Sequence, residues 1–302
     1  MINIIGKRTI FLSVSGTLMI ASIAAIAIFG LKPGIDFTGG ALWQFKLPVN
    51  STIDAREVEG FFRNDLGVKE IIVQTGAEGM FLIHLPVTPE DAHQHYKTSL
   101  EQRFGSVDEN RFESVGPTVG AQLKSRAVLA TLLVLVAISL YITLSFRKVS
   151  YPVKSWKYGV VTLVSLFHDV IIPMGMLAVL GYAKGVEIDT AFVVALLVVV
   201  GFSVHDTIVV FDRIRENLLI RRHTAVFEET VNDSINQTLV RSINTSLTLV
   251  LVLVAMLIAG APSLRLFVLV ILVGTVVGTY SSIFVASPLL TLWHRFGKNK
   301  GR

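Results

Sequence analysis

The chain has 302 residues, of which 52% are hydrophobic and 16% are charged, with a formal net charge of +5 and a mean hydropathy of +0.64. This balance lies outside that of a soluble domain and indicates a membrane protein. The sequence contains no cysteine, which excludes disulfides and thiolate chemistry. Its basic excess is better explained by membrane topology and contact with anionic headgroups than by nucleic-acid binding.

Six apolar stretches are long enough to cross a bilayer, which takes about 20 helical residues. The first follows Lys7 and Arg8 and is longer than the apolar part of most cleaved signal peptides, so it is interpreted as a retained anchor. The predicted spans are residues 9–29, 128–146, 160–180, 190–211, 242–258 and 266–290.

Basic residues are concentrated on one side of these spans, whereas the opposite short loops hold only Lys184 and Arg265. This asymmetry predicts that both termini lie in the cytoplasm. The basic residues on the predicted cytoplasmic side are Lys7, Arg8, Arg147, Lys148, Lys154, Lys157, Arg213, Arg215, Arg221, Arg222, Arg295, Lys298, Lys300 and Arg302.

Residues 30–126, between the first two spans, have the mixed charge of a globular surface. Their patterning predicts strand, helix, strand, strand, helix and strand, with a turn through Gly76 and Gly79. This order indicates an extracytoplasmic α+β domain of the ferredoxin-like type. The predicted organisation is therefore 1–29 for the N-terminus and first span, 30–126 for this domain, 127–294 for a five-helix bundle and 295–302 for a basic cytoplasmic tail.

Sequence signals for catalysis are lacking. No nucleotide-binding P-loop, HExxH or GxSxG motif occurs, and the cytoplasmic loops are too short for a nucleotide-binding domain. His84, His93 and His95 are candidate metal ligands, but the last two stand two apart on a predicted helix and so point in different directions. We therefore expect neither an enzyme nor a bound metal or cofactor.

The predicted spans contain few ionisable residues, namely His168 and Asp169 in the third, His205 and Asp206 in the fourth, and Arg241 at the start of the fifth. A charge near the middle of a span costs roughly 2.5–3.5 kcal/mol on insertion scales. Such residues usually mark an ion or proton pathway, and we expect Asp206 to pair with Arg241. The alternative is that the charges only hold helices together, although Gly274 and Gly278 already provide a close GxxxG-like contact.

Two further features concern the fifth span. Arg241, Thr245 and Thr248 recur at helical spacing and are expected to face neighbouring helices. The preceding loop is predicted to form an amphipathic helix along the cytoplasmic membrane surface. Its apolar residues are Val226, Phe227, Val231, Ile235 and Leu239.

Five motifs together resemble the SecF family of bacterial protein-export proteins, which is related to the resistance-nodulation-division transporters. The motifs are GIDFTGG at 34–40, SVGPTVGAQL at 114–123, HDV at 168–170, VHDTIVVFDRIREN at 204–217 and LVRSINTSLT at 239–248. The resemblance implies a six-span inner-membrane protein that joins SecD, uses proton-motive force and helps to draw unfolded preproteins out of the SecYEG channel. YajC is a further partner that it implies.

The family's essential acidic and basic residues match Asp206 and Arg241. His205 departs from the pattern, because the family usually has asparagine before the aspartate. The residues expected to form the proton relay are Asp206, Arg241, His205, Asp169, His168 and Thr207, and those of the family's glycine motif are Asp36, Gly39 and Gly40. The alternatives are a half-transporter of the same superfamily that exports a lipid or small molecule, and a membrane scaffold that transports nothing.

Overall fold

The computed structural model describes residues 2–48, 53–75, 79–147, 153–221 and 226–299. The chain divides into a helical unit, Met1–Lys32 with Val128–Arg302, and a sheet unit, Pro33–Ala127. Gly76 of the predicted turn and the basic residues Lys148, Arg222, Lys300 and Arg302 lie outside the described residues.

Ten α-helices, one π-helical turn and four strands follow one another along the described chain. The elements are α1 (Arg8–Phe29), α2 (Ile35–Thr38), β1 (Gly40–Lys46), α3 (Ala55–Asn64), β2 (Ile72–Thr75), β3 (Met80–Leu85), α4 (Glu90–Phe104), β4 (Asp108–Val115), α5 (Pro117–Ser145), α6 (Ser155–Lys184), α7 (Thr190–Ile220), α8 (Phe227–Ala259), α9 (Arg265–Ser281), the π turn (Ser282–Ala286) and α10 (Ser287–Asn299).

Six helical segments are long and apolar enough to cross a membrane, so the chain is a multi-pass helical membrane protein. They are α1, α5, α6, α7, α8 and the combined segment from α9 to Arg295. Half or more of the most apolar stretch is buried in α6, α7 and the sixth span, against 17% or less in α1, α5 and α8. The first three therefore form the interior of the helical unit.

The predicted sixth span contains a π turn, which separates α9 from α10. Pro288 lacks the N–H that would continue an α-helical ladder, and Ser287 Oγ donates to the carbonyl of Ser282 at 3.2 Å. Helix α10 continues to Asn299, so residues 295–299 of the expected basic tail are helical.

The predicted small-residue contact of the sixth span is confirmed, and it is made with α7. A Cβ atom on Gly274 would lie 2.2 Å from the Val199 side chain, and one on Gly278 would lie 3.0 Å from Ser203. Glycine at these positions lets α9 approach α7 closely enough for short polar side chains to meet across the interface.

The expectation of a separate surface helix before the fifth span is wrong. Helix α8 begins at Phe227 and continues as one helix to Ala259. Its apolar residues Phe227, Val231 and Ile235 are buried in the helical unit, so they are not available to a lipid surface. The neighbouring asparagine side chains hold the N-terminal segment, since Asn232 accepts from Ile4 N at 2.9 Å and Asn236 accepts from Ile2 N at 2.8 Å.

The sheet unit contains one four-stranded antiparallel sheet in the order β2-β3-β1-β4. Alternate residues of β1 and β3 are buried, as the period of two along a strand requires for a sheet with one covered face. Helices α3 and α4 contribute to the same core. Its largest fully buried side chains are Trp43, Phe45, Phe62, Ile83 and Leu100.

The histidines of the sheet unit have different surroundings. His93 is buried, stacks on Phe112 with ring centroids 3.6 Å apart, and places Nε2 3.1 Å from a carboxylate oxygen of Glu109. His95 is exposed on the same helix, and His84 lies on β3. In the described part of the chain, no group of three or more His, Asp or Glu side chains is placed to hold a metal ion.

Candidate functional site

Asp206 lies on the buried face of α7, in the interior of the helical unit. Its neighbours Ser203 and Thr207, three residues before and one after, are also buried on this helix. Asp206 is only 4% exposed, and Ser282 Oγ donates a hydrogen bond to its Oδ2 at 2.6 Å. A carboxylate at this depth needs such a donor, because burial penalises its charged form.

Asp169 on α6 is a second buried carboxylate, with no exposed surface. Its Oδ1 lies 2.9 Å from His168 Nδ1, which donates when that nitrogen carries the hydrogen. Its Oδ2 accepts from Ser281 Oγ at 2.7 Å and from the Ser203 hydroxyl. These donors stabilise the charged form of Asp169 in an interior that would otherwise oppose it.

The consecutive residues Ser281 and Ser282 bring the two carboxylates into one polar cluster. Ser281 reaches Asp169, Ser282 reaches Asp206, and Ser165 donates to Ser281 at 3.1 Å. These serines were not predicted from the sequence, since a small hydroxyl is common in an apolar span. Pro288 was the available signal, because a proline marks a span where the regular helical ladder is broken.

Arg241 does not contact Asp206. It lies on the exposed face of α8, and among the described residues no ion pair joins it to that carboxylate. The expected polar stripe therefore faces away from this chain's own helices, with Thr245 and Thr248 bonded back to carbonyls of α8. Within one chain, the expected pairing is not observed.

Another set of polar residues occupies the buried face of α8. Ser242 and Ser246 are buried, and Thr279 Oγ1 donates to Ser246 Oγ at 2.6 Å. Ser242 is the residue directly after Arg241, and one residue along a helix rotates the side chain by about 100°. Both stripes are polar and have helical spacing, so the sequence pattern alone could not decide which one faces inward.

The remaining candidate relay residues are divided between the interior and the surface. His168 is 3% exposed and bonded to Asp169, whereas His205 is on the exposed side of α7. Thr207 is buried beside Asp206. The cluster within the helical unit thus combines Asp169, His168, Asp206 and the serines, and it excludes His205 and Arg241.

The glycine motif belongs to the sheet unit. Gly39 and Gly40 have φ values of 76° and 120°, in the region that favours glycine. A Cβ atom on Gly39 would lie 2.9 Å from the Cα of Pro117, the first residue of α5. The motif therefore makes a close backbone contact with the start of the second span, and Asp36 lies in the short helix α2 directly before it.

The arrangement of the buried cluster suits proton binding. Two carboxylates in an apolar interior can each change charge by one, and hydroxyl donors can follow that change by rotating. Among the described residues, no group of three or more His, Asp or Glu side chains in the cluster is placed to hold a metal ion. Reversible protonation is one chemistry that these side chains can perform.

Comparison with known proteins gives matches along nearly the whole chain. The family model for the C-terminal part of the protein export membrane proteins SecD and SecF matches residues 95–296, and the model for the SecD/SecF GG motif matches residues 24–45. The protein translocase subunit SecF of Thermobaculum terrenum is 43% identical, over 97% of this chain and 94% of its own length. The SecF subunit of Anaerolinea thermophila is 40% identical, over 97% of this chain and 94% of its own length.

Fused SecDF proteins match over a smaller share of their own length. SecDF of Thermus thermophilus is 38% identical over 92% of this chain and 37% of that protein. A crystal structure of SecDF from Thermus thermophilus, described as a translocon-associated membrane protein, has a TM-score of 0.82 at 35% identity, covering 97% of this chain and 38% of that one. The motifs, the helical spans and these matches agree, and the chain belongs to the SecF family of protein translocase subunits.

Proposed function

We propose that this chain is the SecF half of a proton-driven complex that assists preprotein movement through the SecYEG channel of the bacterial inner membrane. Both termini lie in the cytoplasm in this proposal, as the basic-residue asymmetry predicts. The observation that carries it is the pair of buried carboxylates, Asp169 and Asp206, joined by hydroxyl donors in the interior of the helical unit. A proton crossing a potential of 100 mV supplies about 2.3 kcal/mol, enough to bias a two-state helix packing.

The exposed Arg241 supports a SecD-like partner. A guanidinium facing lipid is costly, up to roughly 2.5–3.5 kcal/mol near the middle of a span, so a protein surface that supplies an acceptor stabilises it. This chain matches 37% of the single SecDF chain of Thermus thermophilus. The rest of that protein is long enough to contain a second half. We infer that the α8 face of Arg241, Thr245 and Thr248 packs against the SecD-like half.

The sheet unit would carry the motion to the preprotein on the far side of the membrane. Its strand order and alternation of strands and helices support a ferredoxin-like fold. The unit follows α1 in the chain, and a Cβ atom on Gly39 of the GG motif would lie 2.9 Å from the Cα of Pro117 at the start of α5. We propose that this contact transmits helix movement into the sheet unit.

The family resemblance alone supports two further parts of the proposal, namely an unfolded preprotein as the transported chain and YajC as an additional subunit, whereas the basic excess supports contact with anionic lipid at the cytoplasmic surface. Export of a lipid or small molecule is not favoured, because the full-length relatives are named as protein translocase subunits.

Affinity purification tests the partnership. The full chain, tagged and expressed with a SecD-like protein and SecYEG, should retain both after mild detergent extraction. Expressed without the SecD-like protein, it should turn over faster, since the α8 face is then uncovered. A long-lived chain that retains neither partner would contradict the proposal.

A further inference from the structure

The hydroxyls of Ser281 and Ser282 reach two different carboxylates from adjacent positions in the sixth span. Ser281 Oγ lies 2.7 Å from Asp169 Oδ2, and Ser282 Oγ lies 2.6 Å from Asp206 Oδ2. We propose that this serine pair is a hydroxyl switch that couples the protonation of Asp206 to that of Asp169. The inference rests on the proposed function, in which Asp206 gains and loses a proton.

Each serine has two acceptors for its single hydroxyl hydrogen. Ser281 Oγ is also 3.0 Å from the carbonyl oxygen of Gly278, and Ser282 Oγ is 3.0 Å from that of Thr279. A serine beside a charged carboxylate donates to that carboxylate. A serine beside a protonated carboxyl can accept from it and turn its own hydrogen to the carbonyl.

The step at Asp206 balances without breaking any bond of the serine. A proton binds Asp206 Oδ2, which converts the carboxylate to a neutral carboxyl group. The new O–H donates to Ser282 Oγ, and the Ser282 hydrogen rotates to the carbonyl of Thr279. Loss of the proton reverses each movement, so one proton is gained and one released.

Two structural connections carry this change to Asp169. The carbonyl acceptors of the switch belong to adjacent residues, Gly278 and Thr279, in the last turn before the π turn that begins at Ser282. A new bond to one carbonyl therefore changes the hydrogen bonding of the turn that carries the other. In addition, Ser203 donates to Asp169 from three residues before Asp206 on α7.

The interior of the helical unit favours such coupling. Ser165, Ser203, Ser281 and Ser282 are all 1% exposed or less, and Asp169 has no exposed surface. Hydrogen bonds polarise one another more strongly where water is excluded. Ser165 donates to Ser281 Oγ at 3.1 Å and so restrains the position of that oxygen. This bond does not use the Ser281 hydrogen, which can still bond to either of its two acceptors.

The test is pH-difference infrared spectroscopy on the full chain, purified with its SecD-like partner and placed in lipid. The carboxyl bands are assigned with Asp206→Asn and Asp169→Asn. The variants are Ser281→Ala and Ser282→Ala, with Ser281→Thr and Ser282→Thr to restore a hydroxyl. Ser234→Ala is the matched control, because Ser234 is equally buried but bonds to Asn217 and to the carbonyl of Thr230.

Coupling predicts an effect on the carboxyl group that the altered serine does not touch. Ser281→Ala should shift the band of Asp206, Ser282→Ala should shift the band of Asp169, and the threonine variants should return both bands towards their original positions. Ser234→Ala should leave both unchanged. If each alanine variant moves only the band of its own partner, or neither band, the switch is contradicted.

Cysteine variants and a readout independent of translocation keep the test decisive. Where an alanine variant does not accumulate in membranes, Ser281→Cys and Ser282→Cys provide side chains of similar size with a weaker donor, and the cross-effect should persist in reduced form. The spectra need no translocation, so they separate the two claims. Coupled bands in a complex whose export ignores the proton gradient would overturn the proposed function alone, whereas uncoupled bands with gradient-driven export would overturn the switch alone.

Discussion

At the scale of single residues, the two buried carboxylates differ in the donors that hold them. Asp169 accepts from Ser203 and Ser281 and lies beside His168 Nδ1, whereas Ser282 is the side-chain donor observed at Asp206 in the described structure. Donated hydrogen bonds favour the charged form of a carboxylate. Because fewer donors hold Asp206, we propose it, and not Asp169, as the carboxylate that carries the transported proton.

Substitution of Arg241 should weaken the partner complex more than it affects the chain itself. Arg241→Leu removes a charge that we expect to be buried against the partner, at a cost of about 2–5 kcal/mol in binding. Arg241→Lys should be less severe, since a point charge replaces part of the planar fork. Retention of the SecD-like protein during purification measures the effect. Arg213→Lys, at an exposed ion pair with Glu216, is the control, and equal retention in all three variants would count against this interface.

The sequence identified the buried acidic residues but could not identify their partners. Asp169 and Asp206 were recognisable because a carboxylate in an apolar span is costly. The predicted ion pair between Asp206 and Arg241 is not observed within the chain. Hydropathy indicates the depth of a residue in the membrane but not the rotation of its helix, so it could not show which way Arg241 faces. Ser281 and Ser282 were not predicted as partners of the carboxylates, because a hydroxyl adds little polarity to an apolar span. Their contacts become visible only when the neighbouring helices are placed.

At the scale of elements, backbone irregularities coincide with one residue of the carboxylate cluster and with the GG motif. The π turn begins at Ser282, and the GG motif uses left-handed backbone to approach the start of α5. The spans were predictable from their length and apolar composition. The π turn and the direct entry of α8 into the helical unit were not, because they depend on packing that acts across the whole fold.

Gly39→Ala should destabilise the sheet unit more than Gly67→Ala does. Both glycines have φ near +70°, where an added Cβ costs roughly 1–2 kcal/mol. Only Gly39 also meets backbone at 2.9 Å, from Pro117, whereas Gly67 has no neighbour within 4 Å of such a Cβ. The clash should add about 1–3 kcal/mol. Hydrogen exchange of β1 in the full chain measures the difference, and equal exchange in the two variants would contradict a packed GG contact.

His84 should make the stability of the sheet unit fall as the medium becomes acidic. Burial lowers the pKa of His84 below its ordinary value of 6.5, so the unfolded chain binds the proton more readily than the folded one. The contribution is fully present above pH 6.5 and is lost as the pH falls from there through the folded-state pKa.

The measurement for His84 is hydrogen exchange of β3 against pH in the full chain. His84→Gln should flatten the dependence of exchange on pH below 6.5, because the glutamine side chain has no group that binds a proton in this range. His95→Gln, at an exposed position of α4, should retain the original slope. Identical slopes in the wild-type chain and in His84→Gln would show that this histidine does not set the pH response.

At the scale of the whole molecule, the helical unit has a polar interior of its own, and we propose that it forms one half of a larger assembly. Helices α6, α7 and the sixth span enclose the carboxylate cluster, whereas α8 turns Arg241 outward. The N-terminal segment joins α8 through Asn232 and Asn236, and Arg8 pairs with Glu228 at 3.1 Å. A movement of α8 that follows a change at the proposed partner interface would therefore also displace the start of α1.

Export stimulation by Asp206→Asn, measured with and without an uncoupler and alongside the amount of the chain in membranes, tests whether protonation of Asp206 drives export. Asparagine preserves the shape of the side chain but fixes it as neutral, so the variant should accumulate normally, retain its partner and lose gradient-driven stimulation. Asp212→Asn, at the exposed carboxylate paired with Arg215 on the same helix, should behave as wild type. Normal accumulation of Asp206→Asn with full, uncoupler-sensitive stimulation would contradict the account.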